Sequence, residues 1–293
     1  MLTKEFKKSY QKDWLNQLDI AEAKQDKKWA SYFKRESNII IDEFLKANKQ
    51  IPDLQFKFRD DDLINLYVEL YQEVGNRLAK WYAGNFQKYI QKDISNDYKD
   101  IWNAKFAYIG NQVAGERVVS VGVNRRKEFR RVLKRFMQNP EFQALNEAQA
   151  GRILRKKFND MSVANAKRIV RTESVNAANY ATNQSAVDTF GVENLQKEWI
   201  ATFDDRVRID HIQANGQVVD MDKKFLVGGE ELSYPGDSAG SAANVINCRC
   251  TNAPFPKEID TSGIIDDVIT VAQSVAATVA VDEILNDDSQ ENN

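Results

Sequence analysis

The sequence predicts a mainly α protein: long helices in the N-terminal two thirds, a compact β-containing α+β module after them, and a terminal docking helix. Three observations lead there. Apolar residues recur at three- and four-residue spacing from Phe6 to beyond residue 180. Charged residues make up 29% of the 293 residues, a level suited to solvated helix faces. Beyond Gly191 the period shortens, and turn residues cluster between Asn215 and Gly240.

Residues 1–50 alternate lysines and acids around Phe6, Tyr10, Trp14 and Leu18, then around Trp29, Phe33, Ile40 and Phe44. Each set falls on one helical face, so two amphipathic helices or one bent helix are expected. Pro52 disfavours helix at Ile51. Asp60-Asp61-Asp62 reads as a helix start, its carboxylates set against the positive end of the dipole. Consecutive helical side chains diverge, so a metal site is not expected there. The run from Leu63 through Leu70, Leu78 and Phe86 to Ile90 is the most regular helix pattern in the chain. From Ile101 the stripe resumes with Trp102, Phe106, Ile109 and Val113. It then meets Gly115 and Val118-Val119-Ser120-Val121-Gly122-Val123, where β-branched residues and glycine point to a strand or loop.

A basic zone follows. Residues 117–171 hold fifteen Lys/Arg against four Asp/Glu, although the whole chain carries a net charge of only -2. Arg125, Arg126, Lys127, Arg130, Arg131, Lys134 and Arg135 interleave with Phe129, Val132, Leu133 and Phe136, and Asn139-Pro140 ends that helix. A second basic helix carries Arg152, Arg155, Lys156 and Lys157. One explanation is a solvated helix face. The other is phosphate contact with nucleic acid, since clustered cations gain from counterion release. Ser162 is a candidate N-cap and Gly191 a candidate C-terminal stop for a helix that contains Arg171-Thr172-Glu173.

Glu198 to Thr202 then reads as a strand, Asp204 to Arg208 as a polar connection to a short helix or turn with His211, and Asn215-Gly216 as a turn into Gln217 to Asp220. Phe225-Leu226-Val227, a glycine-rich loop and Val245 to Cys250 complete the module. After Pro256 the chain turns acidic, with nine Asp/Glu and no Lys/Arg in residues 258–293. Ile264, Val268, Ala272, Val275, Val279 and Leu285 form a narrow stripe suited to docking on a partner. The last eight residues are expected to be disordered. No signal peptide and no transmembrane segment are expected.

The module holds the chain's one histidine, His211, and its two cysteines, Cys248 and Cys250. In an extended Cys-x-Cys segment both thiols share a face. Cys, Cys and His suit Zn²⁺, with Asp205, Asp204 or Asp237 as a fourth ligand. Two buried thiols beside a hydrogen-bonded histidine fit the same residues, as does a Cys–His nucleophilic pair oriented by Asp205 or Asp210.

In order, Thr202, Asp205, His211, Asn215-Gly216, Phe225, Tyr234-Pro235-Gly236-Asp237 and Ile246-Asn247-Cys248-Arg249-Cys250-Thr251 resemble the phage Mu F-like head morphogenesis family, minor head proteins of tailed bacteriophages. Arg171-Thr172-Glu173 upstream is similar to that family's pattern, so the resemblance covers residues 165–256. Asn244 departs from it, because relatives often carry a glutamate there. The resemblance implies a virion protein inside the head near the portal, made in the host cytoplasm. Its expected roles are head assembly and genome packaging or ejection. Its expected partners are the portal protein, the major capsid protein, viral double-stranded DNA and further copies of itself, with no membrane. Some relatives carry fused toxin-like domains such as ADP-ribosyltransferases, so a Cys/His hydrolase or toxin-like transferase on the same module is the alternative. A non-enzymatic protein is expected, with structural Zn²⁺ as the candidate cofactor and otherwise none. Arg206, Arg208 and Arg249 would contact carboxylates such as Glu173, and Asp237 would belong to the turn. The expected organisation is a helical region with the basic zone (1–161), the head-morphogenesis module (162–256), an acidic docking helix (257–285) and a disordered tail (286–293).

Overall fold

The computed structural model describes residues 2–50, 60–86, 96–202 and 204–257. The docking helix and tail expected beyond residue 257 lie outside the described residues, as does Pro52.

Four long helices build the body. Helix α1 (Lys4–Lys46) starts at Thr3, whose hydroxyl accepts the Phe6 N–H at 3.2 Å. It is one continuous helix. All eight apolar residues of its two expected stripes are buried. Helices α2 (Asp60–Phe86) and α3 (Asn96–Met137) lie against each other. A Cβ on Gly110 would sit 2.9 Å from the Val68 Cα, and one on Gly75 2.6 Å from the Phe106 ring, so both glycines are needed for this approach. The short α4 (Pro140–Ala144) is capped by Asn139. Helix α5 (Glu147–Phe190) packs on both α1 and α2, and Gly191, at φ 81°, ends it.

Two expectations are corrected here. The Val118–Val123 patch is helical throughout α3, because burial of Val118 in the core outweighs a propensity cost of only about 0.5 kcal/mol per residue. Ser162 is no cap: it lies inside α5, fully buried, its hydroxyl 3.2 Å from that of Ser37 on α1. The cap is Asn146, in a reciprocal capping box with Gln149. The boundary expected between 161 and 162 therefore falls within one helix.

The module follows α5. Strand β1 (Leu195–Ile200) is the centre of a three-stranded antiparallel sheet, between β2 (Val218–Asp220) and β5 (Thr251–Pro256). Trp199 pairs with Asn252 and Lys197 with Val219. Helix α6 (Ile209–Ala214) connects β1 to β2. Strands β3 (Phe225–Val227) and β4 (Glu230–Leu232) form a hairpin turned by Gly228 and Gly229, both at positive φ. Helix α7 (Ala242–Val245) precedes the cysteines. The principal core runs from Trp14, Trp29 and Tyr67 in the body into Trp199, Phe225 and Cys248 in the module. Among the described residues, no helix is long and apolar enough to cross a membrane.

A buried histidine and two cysteines as a candidate metal centre

His211, Cys248 and Cys250 converge, each no more than 2% exposed. The backbone on both sides of Cys-x-Cys is tied to α5. Asn247, in the left-handed region at φ 55°, donates its N–H to the Thr172 hydroxyl at 3.1 Å. The Cys250 carbonyl accepts from the Asn179 side chain at 3.2 Å. Cys248 follows the turn at Ile246-Asn247 and donates its N–H to the Val245 carbonyl at 3.1 Å, and β5 starts at Thr251. His211 comes from α6, and its ring stands perpendicular to that of Trp199 with centroids 5.6 Å apart.

The histidine Nδ1 lies 3.3 Å from the Cys250 Sγ and 3.7 Å from the Cys248 Sγ, and the three donor atoms all fall within 4.8 Å of one another. A tetrahedral zinc with ordinary Zn–S and Zn–N bonds sets its N···S edges at about 3.6 Å. The observed distances bracket that value, so these residues fit three corners of such a site. Among the described residues this group has three members. Asp205 is not one of them: it is exposed at the start of the connection to α6. Asp204 is committed to Arg249, which donates to its two oxygens, one bond measuring 3.0 Å. That pairing pulls the Asp204 carboxyl down to about 2. Asp237 accepts the Ser233 and Ala239 N–H groups and closes its turn.

Without a metal, the two thiols are unequal. A hydrogen bond from Cys248, helped by His211, holds Cys250 well below the usual thiol range. Cys248 is pushed well above it by its bond to Cys250 and by burial. The His211 Nε2 is buried without a hydrogen-bond partner.

The remaining motif residues are placed as follows. Arg171 reaches α1, where Glu22 accepts from it at 2.7 Å. Glu173 is buried and accepts the Tyr71 hydroxyl at 3.0 Å, with Arg117 at 3.7 Å. Arg206 and Arg249 contact Asp204, and Arg208 donates to the Ile246 carbonyl. None of the three meets Glu173, contrary to expectation; Arg117 and Tyr71 fill that role. At the position of the departure, Asn244 donates to Glu230 at 2.9 Å, so a carboxylate from β4 stands beside it.

Of the basic residues, Lys127, Arg130, Arg131, Lys134, Arg135, Arg152, Lys156 and Lys157 are exposed, while Arg126 and Arg155 are half-buried. Arg155 pairs with Asp42. Arg125 is a correction. It is 5% exposed, stacks on Phe33 with its guanidinium 4.3 Å from the ring centroid, and donates to Ser37, so it is no part of an outer phosphate-binding face.

Asn179 is the functional residue that sequence reasoning missed. Its amide donates to the Pro235 and Cys250 carbonyls and accepts from the Thr251 hydroxyl and the Asn252 N–H. The available signal was the spacing of Asn176, Asn179 and Asn183, three asparagines on one face of α5.

Residues 122–253 match the family model described as phage Mu protein F like protein. The match supports the resemblance of this part of the chain to the phage Mu F-like family. The match begins within α3 and takes in the basic zone from Arg125 onward together with the module. The match supports a phage head protein and a place in the virion. The chain is also similar to the NAD(+)–arginine ADP-ribosyltransferase EFV of Enterococcus faecalis, 33% identical over 94 residues. Those residues are 31% of this chain and 19% of that protein, so the chain spans less than two thirds of its relative. No solved structure matches.

Proposed function

We propose that this chain is a non-enzymatic minor head protein, inside the capsid and close to the portal, acting in head assembly and in packaging or ejection of the genome. The observation that carries the reading is the extent of the Mu F-like match, which joins the basic helices and the compact module in one segment. Portal and major capsid proteins would be its protein partners, with self-association at the helical body. The exposed cations of α3 and α5 would meet double-stranded DNA through its phosphates. Filter binding to duplex DNA across a salt series tests this, together with location of the protein in purified particles. The reading expects affinity that falls steeply with salt. Salt-indifferent binding, or a chain absent from particles, would overturn it.

Zinc on His211, Cys248 and Cys250 is part of the same reading. It would act as a staple for a module too small to bury a large core of its own. Metal analysis of the purified chain should find about one zinc per molecule, lost in Cys248→Ser. A metal-free protein indifferent to chelators would leave a thiol–imidazole cluster in its place.

The likeness to the Enterococcus transferase favours a second reading, a toxin-like transferase or a Cys/His hydrolase on this module. Against it, Arg171 and Glu173 share one helix and hold structural partners, and His211 and both thiols are closed to solvent. A turnover abolished by His211→Ala in a folded, metal-replete chain would promote this reading over the first.

A further inference from the structure

A cleft of 640 Å³ opens between α3 and α5, on the side of α5 that carries Thr172 and Glu173. Arg117, Arg125, Arg131 and Arg168 line it, against the carboxylates of Glu128 and Glu173, leaving an excess of positive charge. Guanidinium groups are normally paired when withdrawn from water, and an orphaned buried N–H is costly. Here two are orphaned: the Nε atoms of Arg117 and Arg125 are buried with no hydrogen-bond partner. Arg125 is fixed from behind by Phe33 and Ser37. Arg168 is oriented by Asn165, which accepts from it at 2.7 Å and in turn donates to Glu128 at 2.9 Å. Glu173 stands 3.7 Å from the Arg117 Nε, too far for a hydrogen bond, so the pairing leaves the guanidinium charge only loosely opposed.

We propose that this cleft is a binding site for a phosphate group, held by Arg117 and Arg168 with Arg125 behind them. Donors arriving from two helices suit a tetrahedral oxyanion better than a planar carboxylate, and guanidinium forks match phosphate oxygens in pairs. The volume lies in the range of small-ligand sites, so the phosphate can belong to a nucleotide-sized ligand or to a nucleic-acid backbone. Arg131 apart, the site is distinct from the outer cationic face proposed to meet duplex DNA, on which Lys134, Arg135, Lys156 and Lys157 lie.

Calorimetric titration of the full chain with inorganic pyrophosphate, alone and in the presence of a short DNA duplex, tests the assignment. Saturable binding near one per chain is expected. Competition by the duplex identifies a nucleic-acid phosphate as the natural occupant, and its absence identifies a small phosphate ligand. Arg168→Ala and Arg117→Gln should each weaken binding about tenfold or more, the loss of a charge-assisted hydrogen bond. Glu173→Gln removes the opposing charge and keeps an acceptor for Tyr71, so it should tighten binding, which a purely structural role would not do. Arg131→Ala, at an exposed position, gives the same readout if a buried change unfolds the chain. Neutralising Lys134 and Lys156 should leave pyrophosphate binding unchanged, whatever happens to duplex affinity. Absence of saturable pyrophosphate binding, with duplex affinity unaltered by the arginine substitutions, would overturn the site, as would weaker binding in folded Glu173→Gln.

Discussion

In the helical body, Trp29 stands edge-on to Tyr67 with ring centroids 5.0 Å apart, packs on Phe33, and leaves its buried indole N–H without a partner. In the module, Asn179 uses both ends of its amide to tie β5 and the Pro235 turn to α5. The body is held by apolar area, which is non-directional and tolerates an unmade hydrogen bond. The module, with three short strands in its main sheet, is held by directed bonds to a helix outside it. Where little area can be buried, position must come from polar groups whose partners are specific.

The largest expected effect is in the body. Trp29→Ala should cost about 3–5 kcal/mol by urea unfolding, with an unchanged m value. A cost below about 1 kcal/mol would mean that aromatic packing is not what holds α1 to α2.

Next comes a polar inclusion in that same body. Burial raises the Glu22 carboxyl to about 7; Arg171 pulls it down, and Asp19 and Asp26 push it up. The folded chain thus keeps a proton that the unfolded chain releases near pH 4.5. Stability attributable to Glu22 should fall as pH rises from about 4.5 to about 7 and level off above, by about 3 kcal/mol in all. The check is the difference in unfolding free energy between the parent and Glu22→Gln across that window. A difference that does not vary with pH would show that Arg171 satisfies the carboxylate, and the body would then resemble the module in its polar bonding.

In the module, Asn179→Ala should cost about 2–3 kcal/mol, because it strands two buried carbonyls and two donors. The loss should be local. Amide exchange should quicken in Thr251–Pro256 while α2 stays protected. Equal loss in both regions would make them one cooperative unit and remove the distinction.

The same contrast explains what was legible in the sequence. Trp14, Leu18, Trp29 and Phe33 reveal a buried face through spacing alone, because helix geometry puts them on one side whatever they pack against. Val118 to Val123 misled because a local β preference is weak beside burial. Ser162 misled because its hydroxyl answers Ser37, a residue 125 positions away. His211, Cys248 and Cys250 were legible as a group by their chemistry and their confinement to one module. Asn179 was not, since an asparagine inside a helix is locally unfavourable and its partners lie 56 to 73 residues downstream. Asp205 and Asp204 were indistinguishable in sequence; the Arg249 pairing separates them only in three dimensions.

The smallest expected effect on stability concerns residues that belong to neither kind of bonding. Lys134, Arg135, Lys156 and Lys157 are exposed on α3 and α5. Changed to Gln one at a time, each should alter unfolding free energy by no more than about 0.5 kcal/mol. If their place in the chain is functional, the same substitutions should flatten the salt dependence of duplex binding, by about 0.9 in the log–log slope for each phosphate contact removed. Substitutions that destabilise the fold by more than this, with the salt slope intact, would return these cations to the body as structural parts. A near-neutral effect on folding with a loss of slope would separate a surface kept for DNA from the aromatic seam beneath it, where Phe129 stacks on Phe158 at 4.1 Å.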